Sequence, residues 1–291
     1  YGTRLALTTM RDFPQGLRSV ILDSTYPLQA SGADVPASVQ RAFDKLWEGC
    51  AADKACEAAY PDLKGIFNRT IERLNAEPVT MEVAVPGGTY TVTLTGDMLP
   101  GLLFQALYIT ELIPLLPRMI YTAHDGTDYE LWGRLALIVT TLGERVSLGM
   151  YYSIQCGEEV YLSTREELVA ADATFPEQRD AFDQEGMWTV CSKWQARPAD
   201  PIENQPVASD IPTLVLAGEY DPITPPAFGE SAAATLARSS FFTFPGMGHG
   251  VSISHPCPLS ITLEFLRNPE AKPDSGCIAD MQAPAFLVMP E

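Results

Sequence analysis

The stretch from Ile211 to Gly250 constrains this chain most. It opens with the short apolar run Thr213-Leu-Val-Leu-Ala-Gly218, bounded by Pro212 and ending at Asp221. A run of that length, enclosed by breakers and rich in branched residues, reads as a buried strand. A small-residue stretch, Ala227–Arg238, follows with helical character, and then a second apolar run, Ser240–Phe244. Helix and buried strand in alternation is the unit of an α/β sheet, so the segment predicts two neighbouring strands with a helix between them.

Each strand delivers a residue with chemistry. Asp221 stands just past the first run, at the carboxyl end of a strand, where open α/β sheets place their ligands. His249 stands past the second, among Gly246, Gly248 and Gly250, which let the backbone turn tightly and leave the imidazole uncrowded. Singly, an aspartate before a helix is a common N-cap, and a loop histidine is an ordinary surface residue. At paired strand ends they form the acid and base of a nucleophile–His–acid site. The other histidines lack this setting. His124, in Ala-His-Asp-Gly, reads as a helix end, and His255, before Pro256, as a helix start.

The remaining composition narrows the function. The 291 residues carry 37 acids against 19 bases, five of them Lys, for a net charge of −18. Such a surface repels phosphate backbones and excludes nucleic acid as a partner class. It suits cationic or amine-bearing substrates. With 46% hydrophobic residues the chain can bury a real core. No apolar run reaches a membrane span. Leu102–Ile120 comes nearest and is broken by Glu111, Pro114, Pro117 and Arg118. The six cysteines fall into neighbours along the chain: Cys50 and Cys56, Cys156 and Cys191, Cys257 and Cys277. Pairing as Cys50–Cys56, Cys156–Cys191 and Cys257–Cys277 is the simplest arrangement, although sequence leaves connectivity open and free buried thiols remain the alternative. A metal site fits poorly, because there is no Cys-x-x-Cys and only His255 lies close to a cysteine. No metal and no cofactor is therefore expected. Disulfides place the chain in an oxidising compartment, secreted or periplasmic. No signal peptide precedes it, so the chain reads as mature or truncated.

Along the chain, Tyr1–Arg11 is helical, Pro14-Gln-Gly16 breaks it, and Leu17–Leu22 is a short buried strand ending at Asp23-Ser-Thr. From Leu28 the texture changes. Helices are predicted over Val39–Trp47, Asp62–Leu74, Gly96–Tyr108, Glu111–His124 and Asp128–Leu142. A β-hairpin is predicted around Pro86-Gly-Gly88 within Val79–Leu94. Ser147–Gln155 reads as a strand leading to Cys156, Arg165–Gly186 as acidic helix broken at Pro176, and Arg197–Pro206 as a linker. The α/β pattern resumes at Ile211, with a last helix over Ser260–Leu266. The tail Gln282-Ala-Pro-Ala-Phe-Leu-Val-Met is apolar without evident role. The fold class is thus α/β. Residues 1–27 and 207–291 form the sheet portion, and residues 28–206 form a mainly helical insertion.

Tyr1-Gly-Thr-Arg-Leu-Ala6 looks like the part of a nucleophile elbow, Gly-x-Ser-x-Gly, that follows the serine. Gly2 and Ala6 are the small residues with which the ensuing helix crosses a sheet. The order nucleophile, acid, histidine fits the same fold. With Val20-Ile-Leu-Asp-Ser-Thr-Tyr-Pro27, Cys156-Gly-Glu158, Cys191-Ser-Lys-Trp194, Leu214–Pro222 and Gly246–Gly250, the chain resembles the secreted tripeptidyl aminopeptidase and proline iminopeptidase-like branch of the α/β hydrolases, peptidase family S33. The Cys257/Cys277 pair is similar to that of the TAP-like C-terminal domain.

The resemblance implies an α/β-hydrolase sheet with a cap over residues 28–206. It also implies a Ser–His–Asp triad and release of residues or tripeptides from peptide N-termini. In it Asp221 orients the imidazole, His249 is base and then acid, and the Tyr1 amide is an oxyanion donor. Glu158 and Glu159 are its candidates for binding the substrate ammonium. The nucleophilic serine falls just before Tyr1, outside the chain, so the partners expected are a peptide or small ester or amide substrate and a missing N-terminal segment of the same protein. Ser24, Ser252 and Ser254 lack an elbow context. An esterase on the same fold, and a binding protein that has lost catalysis, are the competing expectations.

Overall fold

The computed structural model describes residues 1–178, 181–197 and 199–288. Parts of the predicted acidic helix (179–180), linker (198) and tail (289) lie outside them. The chain begins with α1 (Gly2–Asp12), whose buried Arg4, Leu7 and Met10 recur every third residue and form one inward stripe. β1 (Val20–Asp23) follows. A long helical block then intervenes: α2 (Val35–Ala52), α3 (Lys54–Ala59) and α4 (Leu63–Ala76), then the antiparallel hairpin of β2 (Val79–Val85) and β3 (Gly88–Leu94). It continues through α5 (Met98–Leu107), α6 (Leu116–His124), α7 (Glu130–Arg145), α8 (Leu148–Ile154), α9 (Arg165–Thr174) and α10 (Gln184–Trp194). The chain returns with β4 (Thr213–Gly218), α11 (Pro226–Ala233), β5 (Ser239–Phe244) and α12 (Pro256–Arg267).

β1, β4 and β5 form a parallel sheet in the order β1-β4-β5, with Leu22 opposite Val215 and Leu216 opposite Phe242. All six residues of β4 are buried, because helices cover both faces. Alternation sorts its side chains. Leu214 and Leu216 meet Phe242, Phe244, Ile261 and Phe265, so α12 covers that face. Val215 meets Leu7, Met10, Leu22 and Leu236, with Ala233 alongside, so α1 and α11 cover the other. Each fully buried leucine of β4 contributes about 2 kcal/mol of transfer free energy. The α/β core predicted around Ile211–Gly250 is therefore present. Its middle helix is shorter than expected, ending at Ala233 instead of Arg238.

The helical block has its own core, built on Phe43, Leu46, Leu74, Leu103, Leu107 and Trp132. Trp132 Nε1 donates to the Met119 carbonyl at 2.9 Å, which satisfies the one polar atom of a nearly fully buried indole. The apolar tail has a role after all. Phe286 inserts into this core, the Leu287 amide donates to Pro114 O at 2.9 Å, and the Tyr60 hydroxyl donates to Leu287 O at 3.0 Å. The segment that follows the sheet thus fastens the helical block to it.

One element departs from expectation. Ser147–Gln155 is not a strand but the helix α8, capped by the Ser147 hydroxyl accepting from the Met150 amide. It continues into a widened π-type turn, Gln155–Glu159. Tyr152 packs against Trp194 of α10, the helix to which Cys156 is bonded. The three disulfides join the neighbouring cysteines: Cys50–Cys56, Cys156–Cys191 and Cys257–Cys277, with Cα separations of 5.1, 5.0 and 5.8 Å. Among the described residues no helix is long and apolar enough to cross a membrane, and no group of three metal-binding side chains occurs.

Candidate active site

Asp221 is fully buried at the end of β4, and its carboxylate is saturated by donors. Oδ1 accepts from the amides of Ile223 (3.0 Å) and Thr224 (2.9 Å). Oδ2 accepts from the Thr224 hydroxyl (2.6 Å) and from His249 Nδ1 (2.9 Å). The aspartate is not the N-cap of α11, which starts five residues on at Pro226. It folds a turn around itself and presents its remaining oxygen to the histidine. An ionised carboxylate only accepts, so in the neutral ring this contact places the proton on Nδ1 and leaves Nε2 as the acceptor on the far side.

The main chain around the acid is braced from the helical block. Arg41 on α2 donates to Glu219 O at 2.9 Å and to Asp221 O at 2.8 Å. Burial pulls this guanidinium below its ordinary value, while the charges of Asp221 and Glu219 act in the opposite direction.

His249 sits in a loop held on three sides. From β1, Asp23 accepts the amides of Val251 (3.0 Å) and Ser252 (2.9 Å), and the Ser24 hydroxyl accepts that of Gly250 (2.8 Å). Ser24 adopts a left-handed backbone, φ 61°, to bring its side chain there. From β4, Gly218 approaches so closely that a Cβ on it would lie 1.9 Å from Gly248 O. From the helical block, Tyr108 O accepts the His249 amide at 3.1 Å, and the Thr110 hydroxyl accepts that of Gly248 at 3.1 Å. Gly248 too has no room for a side chain, since a Cβ would stand 2.3 Å from Leu107 O. Two of the glycines around the site are thus required by close backbone approach.

His249 opens onto a cavity of about 840 Å³ between the strand ends and the helical block. Tyr1, Gly2 and Arg4 line it, so the N-terminal end of α1 and the imidazole share one space. Phe104, Tyr108, Met150, Ile154 and Phe182 form an apolar side. Asp23, Glu159 and Asp183 are its acids, and Glu159 is the buried one. Buried in the turn that Cys156 anchors, it lies 3.7 Å from Arg4 Nε. Burial raises its carboxyl above the ordinary range, while Arg4 and Gln155 pull it down. The phenol of Tyr26 is pushed up by burial and by the Glu159 charge. Glu158 is positioned differently. Its side chain is exposed and does not line the cavity, and its contribution is a backbone carbonyl that accepts from Arg4 Nη2 at 3.5 Å. Helical geometry turns neighbouring residues to different faces, so only one of the two acids points inward.

The other two histidines do what their local sequence suggested. His124 closes α6, and His255 caps α12 by accepting the Cys257 amide at 3.1 Å. Sequence reading did not single out Thr224, Asp23, Ser24, Arg41 or Tyr108. Thr224 and Asp23 had local signals: a hydroxyl three residues beyond the acid, and a carboxylate closing a strand.

Residues 179–277 match the family model described as TAP-like protein. The serine protease Hip1 of Mycobacterium tuberculosis is 22% identical over 273 residues, which cover 86% of this chain and 51% of that protein. Hip1 of Mycobacterium bovis matches to the same extent. The chain spans about half the length of these curated relatives. The similarity to the TAP-like family is thus carried by the C-terminal third of the chain, and that to the serine protease Hip1 by most of its length.

Proposed function

We propose that this TAP-like α/β-hydrolase chain supplies the acid and base of a serine peptidase that acts on peptide N-termini. The observation that carries the reading is the Asp221–His249 contact of 2.9 Å, opening onto the cavity that α1 enters by its N-terminal end. The hydroxyl nucleophile belongs to the residue before Tyr1 in the full-length protein. His249 Nε2 takes its proton as it attacks the carbonyl, and Asp221 stabilises the resulting imidazolium through Nδ1. The same Nε2 then protonates the leaving amine, and a water activated in the same way releases the acyl group. The Tyr1 amide, at the positive end of α1, donates to the developing oxyanion. The helical block acts as the cap that closes the cavity over the substrate.

Glu159 gives the reading its exopeptidase character. A carboxylate buried in the cavity wall beside Arg4 (3.7 Å), Gln155 and Tyr26 is suited to a substrate ammonium, with which it would form a charge-assisted hydrogen bond. The three disulfides point to an oxidising compartment, consistent with an exported enzyme. The test uses the full-length protein with aminoacyl and tripeptidyl p-nitroanilides beside a p-nitrophenyl ester. Peptidase turnover lost on His249→Ala, with KM for free-amine substrates raised on Glu159→Gln, is the expected result. Turnover of the ester alone, indifferent to Glu159, would make the protein an esterase. Turnover unaffected by His249→Ala would overturn the triad.

A further inference from the structure

The imidazole of His249 has a neighbour besides Asp221 and Thr224. Tyr108, the residue just past the end of α5, places its ring 4.7 Å from it, centroid to centroid, with the planes inclined at 42°. The same residue's carbonyl accepts the His249 amide at 3.1 Å. Tyr108 thus holds the histidine by main chain and by ring together. The ring is itself held: Phe104 packs edge-on to it at 5.0 Å and in turn edge-on to Phe182 at 4.8 Å. This row of rings forms the apolar side of the cavity. No side-chain hydrogen bond to the Tyr108 hydroxyl occurs among the described contacts, and burial pushes its phenol well above the ordinary range. The ring, not the hydroxyl, makes the contact with His249.

We infer that Tyr108 is a positioning residue for His249, a bearing supplied by the helical block against which the imidazole turns its Nε2 to the reacting atoms. This rests on the role proposed above for His249. Asp221 fixes the ring at Nδ1 only, which leaves rotation about that hydrogen bond open, and the Tyr108 face limits it. An aromatic face beside the ring also favours the imidazolium formed when His249 takes the proton, by the attraction between a cation and a π system. The second effect grows as the imidazolium forms, so it acts on kcat and leaves ground-state binding largely alone. They also link the row Phe182–Phe104–Tyr108 to the base. A substrate side chain lodged against Phe104 presses on the ring that holds His249.

The experiment measures kcat and KM separately in the full-length protein for wild type, Tyr108→Leu, Tyr108→Phe and His249→Ala, with melting temperatures as a folding control. Tyr108→Leu is expected to lower kcat about 5- to 10-fold with KM changed less than about twofold, the size of a single cation–π contact. Tyr108→Phe, which keeps the ring, restores kcat to within about twofold of wild type. If Tyr108→Leu raises KM and leaves kcat intact, the ring is only a wall of the cavity and the inference fails. If Tyr108→Phe loses as much kcat as Tyr108→Leu, the hydroxyl is the active group, and the inference fails again. If His249→Ala retains activity, the failure belongs to the triad itself. A Tyr108→Leu protein that melts far below wild type is replaced by Tyr108→Met, which fills similar volume without a ring and must show the same kcat loss.

Discussion

Replacing Thr224 by Val tests whether the acid of the site is held as its contacts suggest. The hydroxyl donates to Asp221 Oδ2 at 2.6 Å and lies 3.1 Å from His249 Nδ1. Valine keeps the shape and removes only the donor. The Thr224 amide still reaches Oδ1 at 2.9 Å, so the turn survives and a single bond is lost. Asp221 is fully buried, so no water replaces that bond, and a hydrogen bond to a charged group in such a setting contributes about 2 kcal/mol. Spread over a chain of this size, that lowers Tm by about 3 °C. The activity loss should be smaller than for His249→Ala, because His249 keeps its own bond to Oδ2 and loses only the neighbour that fixes the carboxylate. Thermal unfolding followed by circular dichroism, with Thr224→Ser beside Thr224→Val, decides the matter. Serine retains the donor and should recover most of the Tm. A Thr224→Val protein melting within about 1 °C of wild type, or a serine variant as unstable as the valine one, would refute the reasoning.

Three further outcomes follow from the geometry. Gly218→Ala puts a Cβ 1.9 Å from Gly248 O, with backbone on both sides, so the His249 loop must shift; about 2–3 kcal/mol of stability and at least about 100-fold in kcat/KM should be lost, read by melting and turnover of the full-length protein. Replacing both Cys156 and Cys191 by Ala opens a link across 35 residues, worth about 3 kcal/mol, and frees the turn that carries Glu159, so substrate KM should rise more than kcat falls. Because burial raises the Glu159 carboxyl, its charged form is lost as pH falls through a value above the usual carboxylate range, about 4.3; kcat/KM for free-amine substrates should fall with it, and Glu159→Gln should flatten that limb while leaving N-acylated esters unaffected.

What the sequence disclosed and what it withheld divide along the range of the interactions. β4 was legible because a run buried on both faces is largely apolar, and β5, which buries only Phe242 and Phe244, because its phenylalanines stand between nearby breakers. Asp221 and His249 were legible for the same reason: each stands directly beyond such a run. The cysteine neighbours, too, were simple pairs along the chain. Ser147–Gln155 reads locally as a strand but is helical: Tyr152 answers to Trp194 on α10, and a local pattern cannot carry that information. Of the two acids after Cys156, only the turn geometry separates the buried Glu159 from the exposed Glu158.

The residues that brace the site are the least legible of all. Arg41 reaches Glu219 and Asp221 across 178 and 180 residues, and Tyr108 sits at the end of a helix whose sequence reads as ordinary apolar core. Neither leaves a mark in its own neighbourhood, because the group it serves arrives from the far end of the chain. The asymmetry is physical. Acid and base must leave the sheet at the ends of adjacent strands, and strand ends have local signatures. The helical block that closes over them is free in sequence so long as it delivers a donor to the acid's carbonyl and a flat apolar face to the imidazole. A different block could meet those two requirements with other residues, so the bracing contacts have to be found in the fold, where the Arg41 guanidinium and the Tyr108 ring meet the two halves of one dyad.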